Sequence, residues 1–414
     1  MAEFQPESVY LVDGARTPFS RHLRQSSQSQ PYSKLDLGLT TAQFLLLKQT
    51  FNILQLDDVV VASSTLNNNE DLAQQLSERL QCKPSLISHT FSSGENCAIQ
   101  ALLYAHQQIA FKQKSLILVA GIETSTEKPI AINHALSQSI RKWQSAEGLS
   151  NKLKIINKLY KQRFHSSASI KKVKHHSSSH QEIAEKTANY FSISAGAMAE
   201  YVKLSQRRLK YAQRNKLLKN ISPIFYPDGS SLYRDEDIIN TDPESLRQTI
   251  ITGKPPTGII TKASITQATD GACILLLANQ TMVEQYNLTP LAKLSEPNLA
   301  NQDNVIEKLL ISNNIQGNEI DYWEWDEISA AEVLSLEKKP QFESIEAFQS
   351  LSHVNVDGGS LTLGNPNSAN KLRCILQLAS VLQRNNAENG ICHFSFSNGQ
   401  SSALLLKNSQ ETAK

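Results

Sequence analysis

The chain has 414 residues, with 41 Lys and Arg against 39 Asp and Glu, for a net charge of +2. That balance excludes a nucleic-acid partner argued from whole-chain charge, and the length exceeds one small core, so two domains or a duplicated pair with an insertion are expected. The five cysteines, Cys82, Cys97, Cys273, Cys374 and Cys392, are scattered, odd in number and without paired metal spacing, which fits a reducing cytoplasm and no metal.

The start, MAEFQPESVYLVDGARTPF, has neither a basic segment nor an apolar stretch of the kind that directs export. No apolar run approaches membrane-spanning length. VYLVDGA reads as a strand buried on both faces, LGLTTAQFLLLKQTF as a helix and LDDVVVASS as a second strand. Ala98, Leu102, Ala105 and Ile109 then recur at helical spacing, and SLILVAG follows as a strand. Strands alternating with helices predict an α/β fold with a parallel sheet and helices packed over it.

From about Pro129 to Pro255 the sequence turns polar, helix-rich and irregular, as an insertion would. The strand–helix rhythm resumes at TDGACILLLAN and ends in the helix NKLRCILQLASVLQRN and the hairpin-like GICHFSFSNGQSSALLLKN. Both this last unit and the one around Cys97 run polar loop, helix, strand, which suggests an internal duplication. Cys97 itself stands at the mouth of a helix, where the dipole favours a thiolate.

The ordered segments VDGARTPF, VAGIETSTEKP, TQATDGACILLL and NVDGGSLTLGNPNSANKLR resemble those of the thiolase family over essentially the whole chain, most closely the branch that includes the β-subunit of the fatty-acid oxidation trifunctional complex. The resemblance implies two duplicated α/β halves in a layered αβαβα arrangement. It assigns 1–124 and 250–280 to the first half, 281–414 to the second and 125–249 to an inserted loop domain. It also implies CoA or acyl-CoA as ligand, without any other cofactor. The expected assembly is a homodimer or a dimer with an active thiolase, with a dehydrogenase or hydratase-type complex partner.

Thiolases use a nucleophilic cysteine, a histidine in a GHP loop, a second cysteine and an Asn or His in an NEAF or HEAF loop. Carried over residue by residue, these positions hold Glu95, Asn365, Ser395 and Asp326. Ser264, Thr266 and Ser397 fall where relatives line the CoA and acyl pocket. A glutamate is a feeble nucleophile toward a thioester, an Asn cannot shuttle a proton, a Ser hydroxyl is weakly acidic, and a carboxylate repels a developing enolate. The expectation is a thiolase scaffold without thiolase catalysis. Two alternatives stand beside it: Cys97 as a shifted nucleophile, and a carboxylate-based thioester hydrolase that draws on Glu95, Asp326 and Glu327.

The stretch 149–174 carries eight Lys and Arg between Asn151 and Lys174, no acid, and an apolar stripe of Leu149, Leu153, Ile156, Tyr160 and Phe164. A basic amphipathic helix of this kind suits an anionic membrane surface at the inner face, CoA phosphates or a protein groove. The tract HHSSSH, with His175, His176 and His180, reads as a polar loop rather than a metal site.

Overall fold

The computed structural model describes residues 5–21, 32–66, 71–92, 94–124, 180–226, 229–236, 258–301 and 304–409, with a few positions between 141 and 152. Most of 149–174, together with His175 and His176, therefore lies outside the described residues. Met1–Glu127 with Ser178–Lys414 forms one compact unit and Lys128–Ser177 another.

In the first unit the strands are β1 (Val9–Arg16), β2 (Asp58–Ala62), β3 (Ile87–Phe91), β4 (Leu116–Glu123), β5 (Ile224–Phe225), β6 (Ser231–Leu232), β7 (Gly271–Ala278), β8 (Ala292–Leu294), β9 (Asn298–Asn301), β10 (Tyr322–Trp325), β11 (Asn389–Ser395) and β12 (Gln400–Asn408). The helices are α1 (Lys34–Leu46), α2 (Leu72–Arg79), α3 (Cys97–Ala110), α4 (His180–Tyr190), α5 (Ala195–Arg214), α6 (Gln280–Gln285), α7 (Val305–Asn313), α8 (Ala330–Leu334), α9 (Glu346–Ser350), α10 (Ser360–Leu363) and α11 (Asn367–Asn385).

Ten strands join in one hydrogen-bonded path, β10-β11-β12-β8-β1-β7-β4-β2-β3, with β9 added on β12. The sheet is mixed, not the parallel one that the strand–helix alternation predicts, because β7 and β12 run against their neighbours, and the two halves repeat one pattern. In the first, β1 pairs antiparallel with β7, β7 antiparallel with β4, and β4 parallel with β2. In the second, β8, β12, β11 and β10 follow with the same three senses. Every residue of β4 and β7 is buried, as their unbroken apolar runs require.

The long helices that precede β4 and β11, α3 and α11, pack on each other and on strands of both halves, forming an inner layer. Helices α1 and α2 cover the outer side of the first half, and α4, α5, α7 and α8 the outer side of the second. The result is the αβαβα arrangement. Helices α4 and α5, which come from the irregular stretch after Pro129, pack against α8 and α10 in this same unit.

Two glycines permit the close approaches on which the site depends. A Cβ on Gly121 would lie 2.4 Å from the Ser368 carbonyl, so only glycine lets the first turn of α11 rest on β4. A Cβ on Gly359 would lie 2.4 Å from a carboxylate oxygen of Glu327, which needs that space.

Candidate functional site

Glu95 lies in the turn between β3 and α3, two residues before the helix begins, where the helix dipole favours negative charge. Its Oε1 accepts hydrogen bonds from His180 Nε2 at 3.1 Å and Ser397 Oγ at 3.0 Å, and its Oε2 accepts one from the Ser397 backbone N–H at 2.8 Å. Burial pushes this carboxyl up, but the hydrogen bond and charge of His180 and the two Ser397 bonds outweigh it, holding the pKa at about 2. For His180 burial acts downward, and its bond and charge pairing with Glu95 raise the net value above the ordinary histidine range. The bridge ties together three segments: the β3–α3 turn, the first residue of α4 and the β11–β12 turn.

Cys97 faces the other way. It is the first residue of α3, 0% exposed, and belongs to the inner core with Ala98, Ala101 and Leu102. Its Sγ lies 3.2 Å from Ser368 Oγ, which donates to Glu123 Oε1 at 2.7 Å. Burial, seconded by the Glu123 charge, pushes the thiol up to about 11, and the Ser368 bond only partly opposes it. Glu123 also accepts from the hydroxyls of Ser63 and Thr65, so the network ends in a saturated carboxylate.

Asp326 is fully buried at the end of β10. Its Oδ1 accepts from Asn370 Nδ2 at 2.6 Å, and its Oδ2 lies 3.5 Å from Lys371 Nζ, itself buried and donating to Asn367 Oδ1 at 2.6 Å. Arg373, one turn along α11 from Asn370, binds Asn370 Oδ1 and reaches Glu324 Oε1 at 2.7 Å. Burial is the main force raising Glu324 to about 8, against the Arg373 charge that lowers it. Side by side, β10 and the residue after it supply two acids and α11 two cations. Unpaired, any one of these charges would cost several kcal/mol; the repulsion expected from Asp326 alone is thus met by a lysine.

Ser395, the last residue of β11, donates a short hydrogen bond to Glu332 Oε1 on α8, which also accepts from Trp325 Nε1 at 3.3 Å. Burial raises the Glu332 carboxyl above its usual range, against those two bonds. His180 senses both Lys371 and Glu332, and Glu332 senses Asp326, so Glu95, Asp326, Ser395 and Ser397 share one electrostatic neighbourhood. Asn365 is anchored by its backbone N–H to Gln267 O at 2.7 Å, and its side-chain oxygen is buried without a hydrogen-bond partner among the described residues.

The hydroxyls of Ser264 and Thr266 are engaged by protein carbonyls, those of Thr261 and Ser360. Their backbones pin the segment to the Asp326 loop, with Thr266 N donating to Ile328 O and Ala330 N to Ser264 O. Glu327 is taken up by the fold: Tyr201, Ser205, Asn355 and the Leu361 N–H all donate to it. On β11, Cys392 enters the inner core while His393 stacks on Trp325 at 3.8 Å, the opposite faces that a strand imposes.

Three participants escaped the sequence reading. His180 begins a helix and enters the site, correcting the polar-loop reading at that residue; Ala184 and Ala188 at helical spacing were its signal. Lys371 and Glu332 went unnoticed, although a lysine in NSANKLR, opposite a new aspartate at 326, was a readable pair of complementary charges.

A family model described as "Thiolase, N-terminal domain" matches residues 9–281, and one described as "Thiolase, C-terminal domain" matches residues 291–408. The chain belongs to the thiolase family. It is 23% identical over 419 residues to a beta-ketoadipyl-CoA thiolase of Acinetobacter baylyi, covering 96% of this chain and 99% of that protein. It is likewise 23% identical over 430 residues to the mitochondrial trifunctional enzyme subunit beta of Homo sapiens, covering 97% and 88%. Among solved structures, an acetyl-CoA acetyltransferase from Syntrophomonas wolfei superimposes with a TM-score of 0.81 at 20% identity, covering 98% and 100%. Human mitochondrial 3-ketoacyl-CoA thiolase gives 0.77 at 20%, covering 97% and 99%. The fold is that of a thiolase. Among the described residues, no helix is long and apolar enough to cross a membrane.

Proposed function

We propose that this thiolase-family chain serves acyl-CoA metabolism by binding CoA or an acyl-CoA without thiolase turnover, as a structural or regulatory subunit. The observation that carries the reading is the state of the nucleophile position. Glu95 there is ionised and held by three hydrogen bonds, while the nearest thiol, Cys97, is buried, protonated at neutral pH and served by a serine rather than an imidazole. A carboxylate held at about 2 is a poor nucleophile and a poor base. The paired charges Glu95–His180 and Asp326–Lys371 also support a rebuilt site rather than a merely damaged one. In this reading 1–124 with 250–280 and 281–414 are the two halves, and 125–249 is the inserted loop domain.

The assembly proposed is a homodimer, or a dimer with an active thiolase of the kind that relatives' names describe. Strand β3 supports it, because among the described residues it pairs only with β2 and Ile87 on it is 57% exposed. Calorimetric titration with CoA and a 3-ketoacyl-CoA tests the binding: saturable heats are expected, and their absence would sink the CoA-binding role. A carboxylate-based thioester hydrolase is the second reading. One observation favours it: the Glu332 carboxyl, which burial pushes up as a general acid requires, lies in the same neighbourhood and accepts the Ser395 hydroxyl.

A further inference from the structure

The outer face of the second half carries a cleft of about 770 Å3 beside α7. Ile306, Leu310 and Ile311 on that helix, with Ile315, Phe342 and Ile345 opposite, form its apolar lining. Ile311 is 72% exposed and stands beside the partly exposed Leu310 and Ile315. A second cleft of about 300 Å3 adjoins the first through the shared Ile345.

The charge of the lining is one-sided. Glu307 and Glu319 border the first cleft, Asp321 and Glu346 the second, and neither is lined by any Lys or Arg. None of the four carboxylates forms an ion pair with a described residue. Lys339 lies over the Phe342 ring at 5.9 Å and is the cation that a basic partner would have to clear. The contributions of α7 fall at 306, 307, 310 and 311, one face of the helix, with Asn314 just past its end.

We infer that this acidic, apolar-floored cleft is a docking groove for a basic amphipathic helix of a partner protein, whose apolar stripe would lie on Leu310, Ile311 and Ile315 while its Lys and Arg meet Glu307 and Glu319. A helix laid in a groove is the recognition mode that an i, i+3, i+4 row of anchors and a charged rim serve. The charge pairs at the rim set orientation and encounter rate, and the apolar floor sets the lifetime.

Anisotropy of a fluorescein-labelled Leu/Lys amphipathic peptide of about five helical turns, titrated with the full chain, tests the inference. Saturable binding is expected. Ile311→Asp should weaken it by about tenfold or more, and Glu307→Lys should weaken it by a similar factor that shrinks as salt is raised. Both residues are exposed, so circular dichroism should confirm unchanged folding. A peptide of the same composition in scrambled order should bind at least about tenfold more weakly. Equal binding of the scrambled peptide would reduce the effect to bulk charge and overturn the proposal, and so would wild-type affinity in both variants. Neither result touches CoA binding, which is measured separately.

Discussion

Glu95 and Cys97 stand two residues apart at the start of α3 and meet opposite surroundings. The carboxylate looks into a polar corner where an imidazole, a hydroxyl and a backbone N–H all donate to it. The thiol looks into the inner core, against Ser368 and beneath strands of both halves. One helix start thus offers an ionised oxygen and a protonated sulfur. Direction, more than residue type, decides which group could meet a ligand.

The comparison breaks most visibly through the buried charges that support the polar corner. Lys371→Met should destabilise the fold by about 3–5 kcal/mol in urea denaturation, because it strands Asp326 in a dry environment. Adding Asp326→Asn should recover part of that loss. If the single variant is as stable as the parent, the two charges do not compensate each other and the site is less rigid than described.

The buried corner can be probed next. Cys97→Ala should cost about 1 kcal/mol, a typical core change. In the native protein the Cys97 thiol should stay unreactive toward a thiol reagent until denaturant is added, whereas partly exposed Cys82 reacts first. Rapid native labelling at Cys97, located by peptide mapping, would move its sulfur out of the core.

Subtler is the pH dependence of the Glu95–His180 pair. Glu95 falls from 4.5 to about 2 on folding, so its stabilising contribution is complete above pH 4.5 and is lost as pH drops toward 2. His180 is raised from 6.5, so its contribution is complete below that pH and is lost as pH climbs through the raised value. Both groups are about one-third exposed, and His180→Ala should cost under about 1 kcal/mol at neutral pH. In the same variant the Glu95 carboxyl, followed by carbon NMR, should titrate closer to its ordinary value. An unchanged Glu95 titration would show that Ser397 alone holds the carboxylate.

Much of the scaffold was legible because strands buried on both faces must be continuous apolar runs, as in LILVAG of β4 and CILLLA of β7. The duplication was legible too, since α3–β4 and α11–β11 repeat one local order. The site was legible only in part. Glu95 and Ser397 could be placed from motif positions, but the bond between them joins residues 302 positions apart and has no local trace. His180 was obscured because the serines and histidines before it have the composition of a polar loop, and the alanine stripe of α4 follows only later in the sequence. Helix α11 carries Asn370, Lys371 and Arg373 on buried positions, a pattern that reads as solvent-facing unless partners on β10 are known.

The most direct test is thioester turnover: wild type, Glu95→Ala and Cys97→Ala incubated with a 3-ketoacyl-CoA and CoA, with thioester loss followed over time. The account predicts no CoA-dependent cleavage above background in any of the three. Cleavage by the wild type that persists in Glu95→Ala and disappears in Cys97→Ala would contradict it, restoring the sulfur as the working nucleophile.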